Sequence, residues 1–214
     1  MYESEQQVSV VLANQVKYFA RSLNLHSKTD ELDASIIAQL GIVRTLSIWS
    51  PMFSNYKVLK ALNRKRLGMI KQKNRAQNQL HALKYAHQTP ATAMDITRRR
   101  QIEFYEDAIA ELEQEIDRLV RADETLNEKV NKVATIKGVG PATVLTILCE
   151  TNGFHLIRNI RQLVSYAGLV IVFNESGQSQ GKTAISKRGN TYIRACLYMP
   201  ALCAKRHEQN WTRV

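Results

Sequence analysis

Apolar side chains recur with a coiled-coil spacing across residues 102–133. The intervals between them alternate between three and four residues for more than four heptads, and Asp123 is the only polar residue at such a position. This spacing places one apolar stripe along a helix and is typical of a coiled coil. We therefore predict a nearly unbroken helix through these positions, which are Ile102, Tyr105, Ile109, Leu112, Ile116, Leu119, Asp123, Leu126, Val130 and Val133.

A second helical stretch precedes this one. Residues 56–87 are rich in Lys, Arg, Gln and Leu and contain no proline, and the Thr-Pro-Ala-Thr sequence at 89–92 then interrupts the pattern. Two long helices joined by a short break indicate either an antiparallel hairpin or an arm that dimerises. The pattern alone does not decide between these two arrangements.

The N-terminal quarter predicts shorter elements. Residues 8–13, VSVVLA, are β-like, and residues 14–24 are helical in pattern. Ser27 or Thr29 can cap the next helix, and Gly41 suits its C-terminal end. The apolar residues of that helix are Leu32, Ile36, Ile37 and Leu40.

A turn and a further helix follow the coiled-coil pattern. The sequence TIKGVGPATVLTILCET places Gly138 and Gly140 in the turn and Pro141 at the start of the helix, where a missing N–H is tolerated. Backbone amides of such a turn and of a helix N-terminus can bind one phosphate. Because this is the helix-hairpin-helix pattern of sequence-independent DNA binding, we predict that Gly138 and Gly140 contact DNA.

The rest of the chain predicts a helix, a β-like run and a last helix. Residues 154–173, FHLIRNIRQLVSYAGLVIVF, begin with helical spacing and end in an apolar β-like run. Residues 191–211 have helical spacing and are expected to expose Arg194, a further candidate for DNA binding. Pro200 should kink or interrupt this helix.

Positive charge is concentrated in two blocks of the chain. The formal net charge is +11, yet residues 55–88 carry nine basic and no acidic side chains, and residues 151–214 carry nine and two. Such blocks attract a polyanion, most commonly a phosphate backbone. Nine cations without an acid should repel one another unless a polyanion is present. The charge pattern thus favours nucleic acid over a small molecule as the partner.

Composition narrows the class of protein. At 44% hydrophobic and 23% charged residues, with no long uncharged apolar run, the chain has no predicted membrane span. The first ten residues carry two glutamates and no basic side chain, which argues against a signal peptide. Cys149, Cys196 and Cys203 have no metal-binding spacing, so we expect reduced core thiols in a cytoplasmic, nucleoid-associated protein rather than a zinc site.

The segment ESGQSQGKTAISKRGN, residues 175–190, combines small hydroxyls with positive charge. It holds three serines, three glycines, three cations and one acid. A hydroxyl that attacks a phosphodiester needs a flexible approach and cations that stabilise the developing charge. Lys182, Lys187 and Arg188 can bind phosphate oxygens. A solvated loop, or phosphate binding by the hydroxyls without chemistry, would explain the same residues.

Several segments in order resemble one protein family. These are SKTDELDASIIA at 27–38, KNRAQNQLH at 73–81, and KGVGPATVLTILCE, RQLVSYAGL and SGQSQGKTAISKRGNTYIRACLY within 137–198. Together they resemble the DEDD-type insertion-sequence transposases related to the Piv DNA invertases. The order KTDxxDA, YAGL, ISKRGN is a specific combination, and the resemblance extends over nearly the whole chain.

The resemblance implies a mainly α protein with three parts. Residues 1–52 would be a truncated remnant of a ribonuclease-H-like α/β domain, and residues 53–133 a long antiparallel coiled-coil arm. Residues 134–214 would form a helical transposase domain with the helix-hairpin-helix motif and a short β-hairpin or loop. The implied activity is DNA transposition and recombination by a mobile genetic element.

The family binds Mg²⁺ through a set of Asp, Glu, Asp and Asp, which implies Asp30 and Asp33 as its last two acids. The spacing agrees, because carboxylates three residues apart share one helix face and hard oxygen ligands suit Mg²⁺. An exposed acid pair stabilised by the helix dipole is the structural alternative. Glu3 would match the family's Glu, and no acid precedes it to match the first Asp.

By the same resemblance, Ser176 is the implied nucleophile, since it precedes Gly in the SG pair upstream of ISKRGN. Ser179 and Ser186 are the other candidates, although Ser186 suits the N-cap of the final helix better. The base that takes the serine proton would come from the carboxylate domain of the same or another protomer. The product would be a phosphoserine linkage between protein and DNA.

The missing first Asp implies an N-terminally truncated copy and keeps a second interpretation open. In that interpretation, the chain is a catalytically dead remnant that binds DNA or RNA. A coiled-coil protein whose partner is another protein is a third possibility. The family implies DNA, an element-encoded guide RNA and a second copy of the chain bound through the coiled coil as partners.

Overall fold

The computed structural model describes residues 7–25, 27, 29–49, 51–85, 93–176 and 179–207. The chain divides into two compact units, Met1–Pro51 and Met52–Val214. The described residues form nine helices and four two-residue strands, so the expected mainly α fold is confirmed. No helix in these ranges combines the length and the apolar character needed to cross a lipid bilayer.

The first unit contains helix α1, Ala13–Ser22, packed against helix α2, Asp30–Val43. Thr29 rather than Ser27 caps α2, because its Oγ1 accepts a hydrogen bond from the Leu32 amide at 3.3 Å. The helix continues through Gly41, so the prediction that Gly41 ends it was wrong.

The β-like run at the start of this unit does not form a strand within its described residues. A strand needs a partner strand, and although the Trp49 amide donates a hydrogen bond to the Val8 carbonyl at 2.7 Å, the described residues of this run pair with no strand. The expectation of a strand at residues 8–13 was therefore wrong for the described residues. A ribonuclease-H-like identity for this unit stays a prediction.

In the second unit, helices α3, Ser54–Tyr85, and α4, Ala93–Ala122, form an antiparallel pair. Arg66 pairs with Glu113 at 2.8 Å, and Lys73 with Glu106 at 3.6 Å. Seven residues forward along α3 thus correspond to seven residues backward along α4, which requires opposite directions. Of the two arrangements that the sequence left open, α3 and α4 thus adopt the antiparallel helical pair. The predicted break at 89–92 lies outside the described residues. Coiled-coil winding of the two helices stays a prediction.

The predicted unbroken helix through residue 133 was wrong, because it ends at Ala122 and helix α5, Glu124–Ala134, begins after Asp123. Asp123 caps α5, since its Oδ1 accepts hydrogen bonds from the Leu126 amide at 3.1 Å and from Thr125 Oγ1 at 2.8 Å. A carboxylate at a core position cannot be buried unpaired, and here it satisfies the first amides of a new helix instead. Most heptad positions on either side still face the interior, although Val133 is 36% exposed; the buried ones are Ile109, Ile116, Leu126 and Val130.

Helix α6, Pro141–Glu150, runs through the core of this unit. Its apolar side chains pack against α3, α4 and α5, and burying each one fully contributes about 1.5–3 kcal/mol. The core lies where the base of the arm meets α6. Its buried members are Leu59, Ile116, Val120, Leu126, Val130, Val144, Leu145, Leu148 and Cys149.

Two short helices close the chain after helix α7, Ile160–Tyr166. Helix α8 spans Thr191–Cys196 and α9 spans Tyr198–His207, so the break expected near Pro200 is confirmed. Proline lacks an N–H and its ring clashes with the carbonyl four residues earlier, which here belongs to the last residue of α8.

Between α7 and α8 the chain forms a β-hairpin, as the alternative of hairpin or loop allowed. Strand β1, Ile171–Val172, pairs antiparallel with β4, Ala184–Ile185. Strand β2, Glu175–Ser176, pairs antiparallel with β3, Ser179–Gln180. Hereafter this ribbon, residues 171–185, is called the hairpin; its base is the β1–β4 end and its tip is the β2–β3 end.

Candidate functional site

The hairpin starts and ends on two segments that are hydrogen-bonded to each other. The Ser186 amide donates to the Val170 carbonyl at 2.8 Å, and the Lys187 amide to the Gly168 carbonyl at 3.0 Å. The Asn190 amide donates to the Tyr166 carbonyl at 2.6 Å. Residues 166–170 and 186–190, which carry the YAGL and SKRGN motifs, therefore form one paired platform beneath the hairpin.

Close backbone approach explains the glycines of this platform. A side chain at Gly189 would collide with the backbone of residues 166–168. Gly168 has φ +69°, and a side chain there would lie 2.7 Å from Arg194 Nη1. Lys187 also adopts a left-handed backbone, with φ +53°, which costs a non-glycine residue about 1 kcal/mol. The platform is thus built with some backbone strain.

A buried carboxylate, Glu150, fixes the platform to the arm. Arg64 donates to both Glu150 oxygens, at 2.7 and 2.8 Å, and Lys60 Nζ lies 3.3 Å from Oε2. Asn190 Nδ2 donates to the same Oε2 at 2.7 Å. The Glu150 side chain is 1% exposed. We call these four residues the Glu150 cluster.

The charges of the cluster determine its protonation. Burial by itself would raise the pKa of the Glu150 carboxyl. Hydrogen bonds from Arg64 and Asn190 and the charge of Lys60 outweigh burial, so this pKa lies below its ordinary value. The same hydrogen bond raises the pKa of the Arg64 guanidinium. Glu150 is therefore ionised at neutral pH and is a structural anion, not a proton donor.

Asn190 joins the cluster to the last helices. Its Oδ1 accepts hydrogen bonds from the Tyr192 and Ile193 amides at 2.9 and 3.1 Å and so caps α8. The expectation that Ser186 caps this helix was wrong, because Ser186 is bonded to the platform four residues earlier. The Arg64 guanidinium also lies 4.6 Å from the centre of the Tyr192 ring, a cation–π contact.

The sequence analysis did not single out Glu150. The signal it offered was one acid at the end of the apolar stretch TVLTILCE. Its cationic partners lie up to 90 residues earlier in the chain, and no local spacing connects them to it. A lone acid in an apolar helix predicts a buried ion pair, but the partner cannot be chosen from the pattern.

Ser176 lies at the tip of the hairpin, where its backbone pairs with Ser179. The three predicted cations are spread along the ribbon. Lys182 follows Gly181 partway down the second strand, and Lys187 and Arg188 lie at the platform. All three cations are exposed. Along an extended strand, the five residues from Ser176 to Ile171 span about 16 Å, so the cations form a track leading to the serine rather than a ring around it.

Gly181 has a packing function in this track. Its amide donates to the Asn174 carbonyl at 2.7 Å, and a side chain at this position would collide with Asn174. The glycine thus allows close contact across the hairpin. Gly177, the other glycine expected to provide flexibility, lies outside the described residues.

The predicted phosphate-binding turn connects α5 to α6. Gly138 has φ +84°, and a side chain there would lie 2.6 Å from Cys203 Cβ, so this glycine lets α9 pack against the turn. Gly140 precedes Pro141 as the N-cap of α6 and faces open space. The exposed end of α6 has no acid in its first turn, which leaves its positive dipole end unopposed.

Arg194 is half-buried, not exposed as expected. Its Nη1 donates to the Ala167 carbonyl at 2.8 Å and so supports the platform.

The predicted metal ligands belong to the first unit. Asp30 and Asp33 lie in the first turn of α2, at positions that share one face of the helix. Glu3 lies outside the described residues. Within the described ranges, no three His, Cys, Asp or Glu side chains are grouped as metal ligands, so these residues alone do not complete a Mg²⁺ site.

The cysteines agree with the expectation of reduced core thiols only in part. All three are free, but Cys149 alone of the three is buried in the core, and Cys196 and Cys203 are half-buried. Burial, followed by the negative charge of Glu150, raises the pKa of the Cys149 thiol to about 12. Burial likewise raises the pKa of Cys196 to about 11. Neither thiol forms a nucleophilic thiolate at neutral pH.

The expected repulsion within α3 is partly relieved by acids from other elements. Of its nine cations, Lys60 and Arg64 pair with Glu150, and Arg66 and Lys73 pair with acids on α4. The prediction that all nine require an external polyanion was therefore wrong for these four. For the other cations of α3 it stays a prediction.

Two protein-family models match this chain, one at each end. A model described as the transposase IS116/IS110/IS902 family matches residues 130–214, which include α6, the platform and the hairpin. A second model, described as a transposase, matches residues 1–84. Only residues 85–129 lie outside the two matches.

Individual relatives agree with these models. The chain is 28% identical to the pilin gene-inverting protein of Moraxella bovis over 196 residues, which is 91% of this chain and 59% of that protein. It is 34% identical to the transposase for insertion sequence element IS1111A of Coxiella burnetii over 107 residues, 50% of this chain and 28% of that protein. The chain thus spans less than two thirds of the length of these relatives.

Proposed function

Since the chain belongs to the IS116/IS110/IS902 family of transposases, we propose that it acts on insertion-sequence DNA by cutting and rejoining strands. The observation that carries this proposal is the hairpin, which has a serine at its tip and the exposed Lys182 along its length, above a platform that carries the exposed Lys187 and Arg188, inside the segment matched by the family model. The names of the relatives support the same class, since one inverts a gene and another moves an insertion sequence.

In this mechanism Ser176 is the nucleophile. Its hydroxyl oxygen forms a bond to a DNA phosphorus as the hydroxyl proton passes to a base. The bond between that phosphorus and the leaving oxygen breaks, and the leaving oxygen takes up a proton. The reverse displacement rejoins a strand and frees the serine. Lys182, Lys187 and Arg188 guide the DNA backbone towards the serine at the tip of the hairpin.

The Glu150 cluster gives the hairpin a rigid base in this proposal. A nucleophile is effective only when its approach to the phosphorus is held within a few tenths of an ångström. Glu150 connects α3 to the N-cap of α8, and the platform is bonded to the same asparagine. Glu150 and Asn190 are therefore positioning residues.

Mg²⁺ belongs to the proposal through the family. Asp30 and Asp33 would each offer one carboxylate, and Glu3 a third. When bound, the ion would polarise a phosphoryl oxygen or lower the pKa of a hydroxyl. The described residues by themselves do not complete its ligand set.

Other parts follow from the same family assignment. We propose that the turn at Gly138 and Gly140 binds duplex DNA as a helix-hairpin-helix motif, and that Arg194 contributes to DNA binding in addition to supporting the platform. We further propose a ribonuclease-H-like first unit, a coiled-coil arm that joins two copies, an element-encoded guide RNA and association with the nucleoid.

The test of the nucleophile is a covalent trapping experiment. The full chain is incubated with radiolabelled duplex DNA carrying the element's end, and adducts that survive detergent are counted. We expect Ser176→Ala to abolish the adduct while duplex affinity changes less than twofold. Ser179→Ala is the matched control and should retain the adduct. An adduct that persists in Ser176→Ala removes Ser176 from this role.

A second candidate function is DNA or RNA binding without chemistry. The incomplete ligand set in the described residues favours it. In that case no divalent ion supports strand transfer by the wild-type chain, although binding remains salt-sensitive.

A further inference from the structure

Five of the nine cations of α3 remain after its ion pairs are accounted for, and the structure describes the side chains of four of them. Lys57, Lys65, Lys71 and Arg75 are exposed, and within the described part of the chain none of them pairs with an acid. At 100° per residue, Lys71 and Arg75 lie within about 40° of Lys57 around the helix, and Lys65 lies about 80° away in the opposite sense from Lys71. The four therefore cover a band about 120° wide and about 27 Å long, which we call the outer stripe. Arg64 lies within the same arc but is bound by Glu150.

Helix α4 shows the charge pattern of a solvent-exposed helix in this protein. On α4 the exposed charges have both signs and pair within the helix, as Arg99 with Asp95 at 3.1 Å and Arg121 with Asp117 at 2.7 Å. Such pairs stabilise a solvated helix. The 32 residues of α3 contain no acid at all, so solubility does not account for the stripe.

Gly68 gives an independent indication that something approaches α3. It lies in the middle of the stripe, and a side chain there would meet nothing within 4 Å. Packing within the chain therefore does not require a glycine, although glycine destabilises the interior of a helix relative to alanine. A missing side chain at this point lets a partner come close to the helix backbone.

We propose that this outer stripe, Lys57, Lys65, Gly68, Lys71 and Arg75, binds the phosphate backbone of duplex DNA along the arm. The choice of DNA rests on the proposed function. Over about 27 Å a duplex presents roughly 16 negative charges, more than enough to neutralise all four cations. The stripe is separate from the hairpin and from the turn at Gly138.

The side chains around the stripe suit a duplex rather than a single strand. Single-stranded nucleic acid is held by aromatic side chains on which bases stack. Residues 57–80 contain no Phe, Tyr or Trp. They offer exposed amides instead, at Gln72 and Asn78, which can donate hydrogen bonds to phosphate or groove edges.

The test measures duplex affinity of the full chain as a function of salt. Fluorescence anisotropy with a 30-base-pair duplex of arbitrary sequence gives Kd between about 50 and 200 mM salt. We expect Lys71→Gln/Arg75→Gln to lower the slope of log K against log salt by about 1.8. The matched control is Arg100→Gln/Lys129→Gln, which removes the same charge from exposed positions on α4 and α5 and should leave the slope nearly unchanged.

Gly68 supplies a second measurement that a solvated surface would not affect. Gly68→Leu should raise Tm by about 2–4 °C, since leucine favours the helix. The same change should weaken duplex binding severalfold by blocking close approach. Equal slopes for the two double variants, or unchanged affinity in Gly68→Leu, would overturn the proposal. So would tighter binding of single-stranded DNA or duplex RNA than of duplex DNA.

These outcomes are distinct from those of the trapping experiment. In one outcome, the wild-type chain forms no adduct, and the Lys71→Gln/Arg75→Gln variant, but not its control, shows a smaller salt dependence of duplex binding. This outcome supports the DNA-binding stripe and contradicts the strand-cleavage function. An adduct dependent on Ser176 with no difference between the two double variants supports the function and removes the stripe.

Discussion

Two groups of cations on α3 are the same kind of residue in opposite circumstances. Near the start of the helix, Lys60 and Arg64 reach a buried carboxylate, and Arg66 reaches across to α4. Further along the helix, Lys71 and Arg75 are exposed and make no ion pair within the described residues. The paired cations are committed to the folded structure, and the exposed ones remain available for a polyanion. The comparison teaches that charge counts along a sequence overstate what a partner can use.

The sharpest way to break this comparison is to remove the buried anion. Glu150→Ala should lower the free energy of unfolding by about 3 kcal/mol, because it leaves Lys60 and Arg64 without their partner and Asn190 without an acceptor. Chemical denaturation measures the change. Glu128→Ala, which removes an exposed acid on α5, is the control and should cost under about 0.5 kcal/mol.

A smaller effect should follow from acid. The folded-state pKa of Glu150 lies below its ordinary value of 4.5, so its ionisation contributes stability above about pH 4.5, and that contribution is lost as pH falls through the folded pKa. We expect stability to fall less steeply with acid in Glu150→Gln than in the wild type. Asp123, whose pKa is also lowered, by hydrogen bonds from Thr125 and the Leu126 amide, keeps its own acid dependence in both proteins. Parallel curves between pH 7 and 3.5 would contradict this account of the cluster.

The smallest effect on stability should come from the exposed cations of the outer stripe. Lys71→Gln/Arg75→Gln should change the free energy of unfolding by less than about 0.5 kcal/mol, because neither side chain makes an ion pair within the described structure. The same thermal melts that follow the duplex-binding variants provide this measurement. A loss of stability as large as that of Glu150→Ala would mean that the stripe stabilises the fold. The distinction between the paired and the exposed cations of α3 would then disappear.

The arm illustrates how far pattern alone could predict the fold. The three-and-four spacing correctly identified the interior positions of α4 and α5, such as Ile116 and Leu126. The same spacing ran without interruption through Asp123, where the structure begins a new helix. Both a core and a cap position are compatible with the periodicity, and only the local hydrogen bonds distinguish them.

The site was less predictable than the arm. The residue types of the loop and the motifs predicted Ser176 and its cations. The residues that hold the platform in place are the buried Glu150 and Asn190. Glu150 meets Asn190 across 40 residues of chain and Arg64 across 86. No periodicity spans such separations.

By itself the sequence determined the helical character of the chain, the turn at Gly138, the break near Pro200 and the basic composition of α3. These depend on backbone preferences and on neighbours within a few residues, which a linear pattern records. The tertiary structure alone decided which cations of α3 are neutralised and which remain exposed. It also decided how residues 166–170 and 186–190 pair beneath the hairpin. Those outcomes depend on electrostatic and hydrogen-bond partners that become neighbours only when the chain folds.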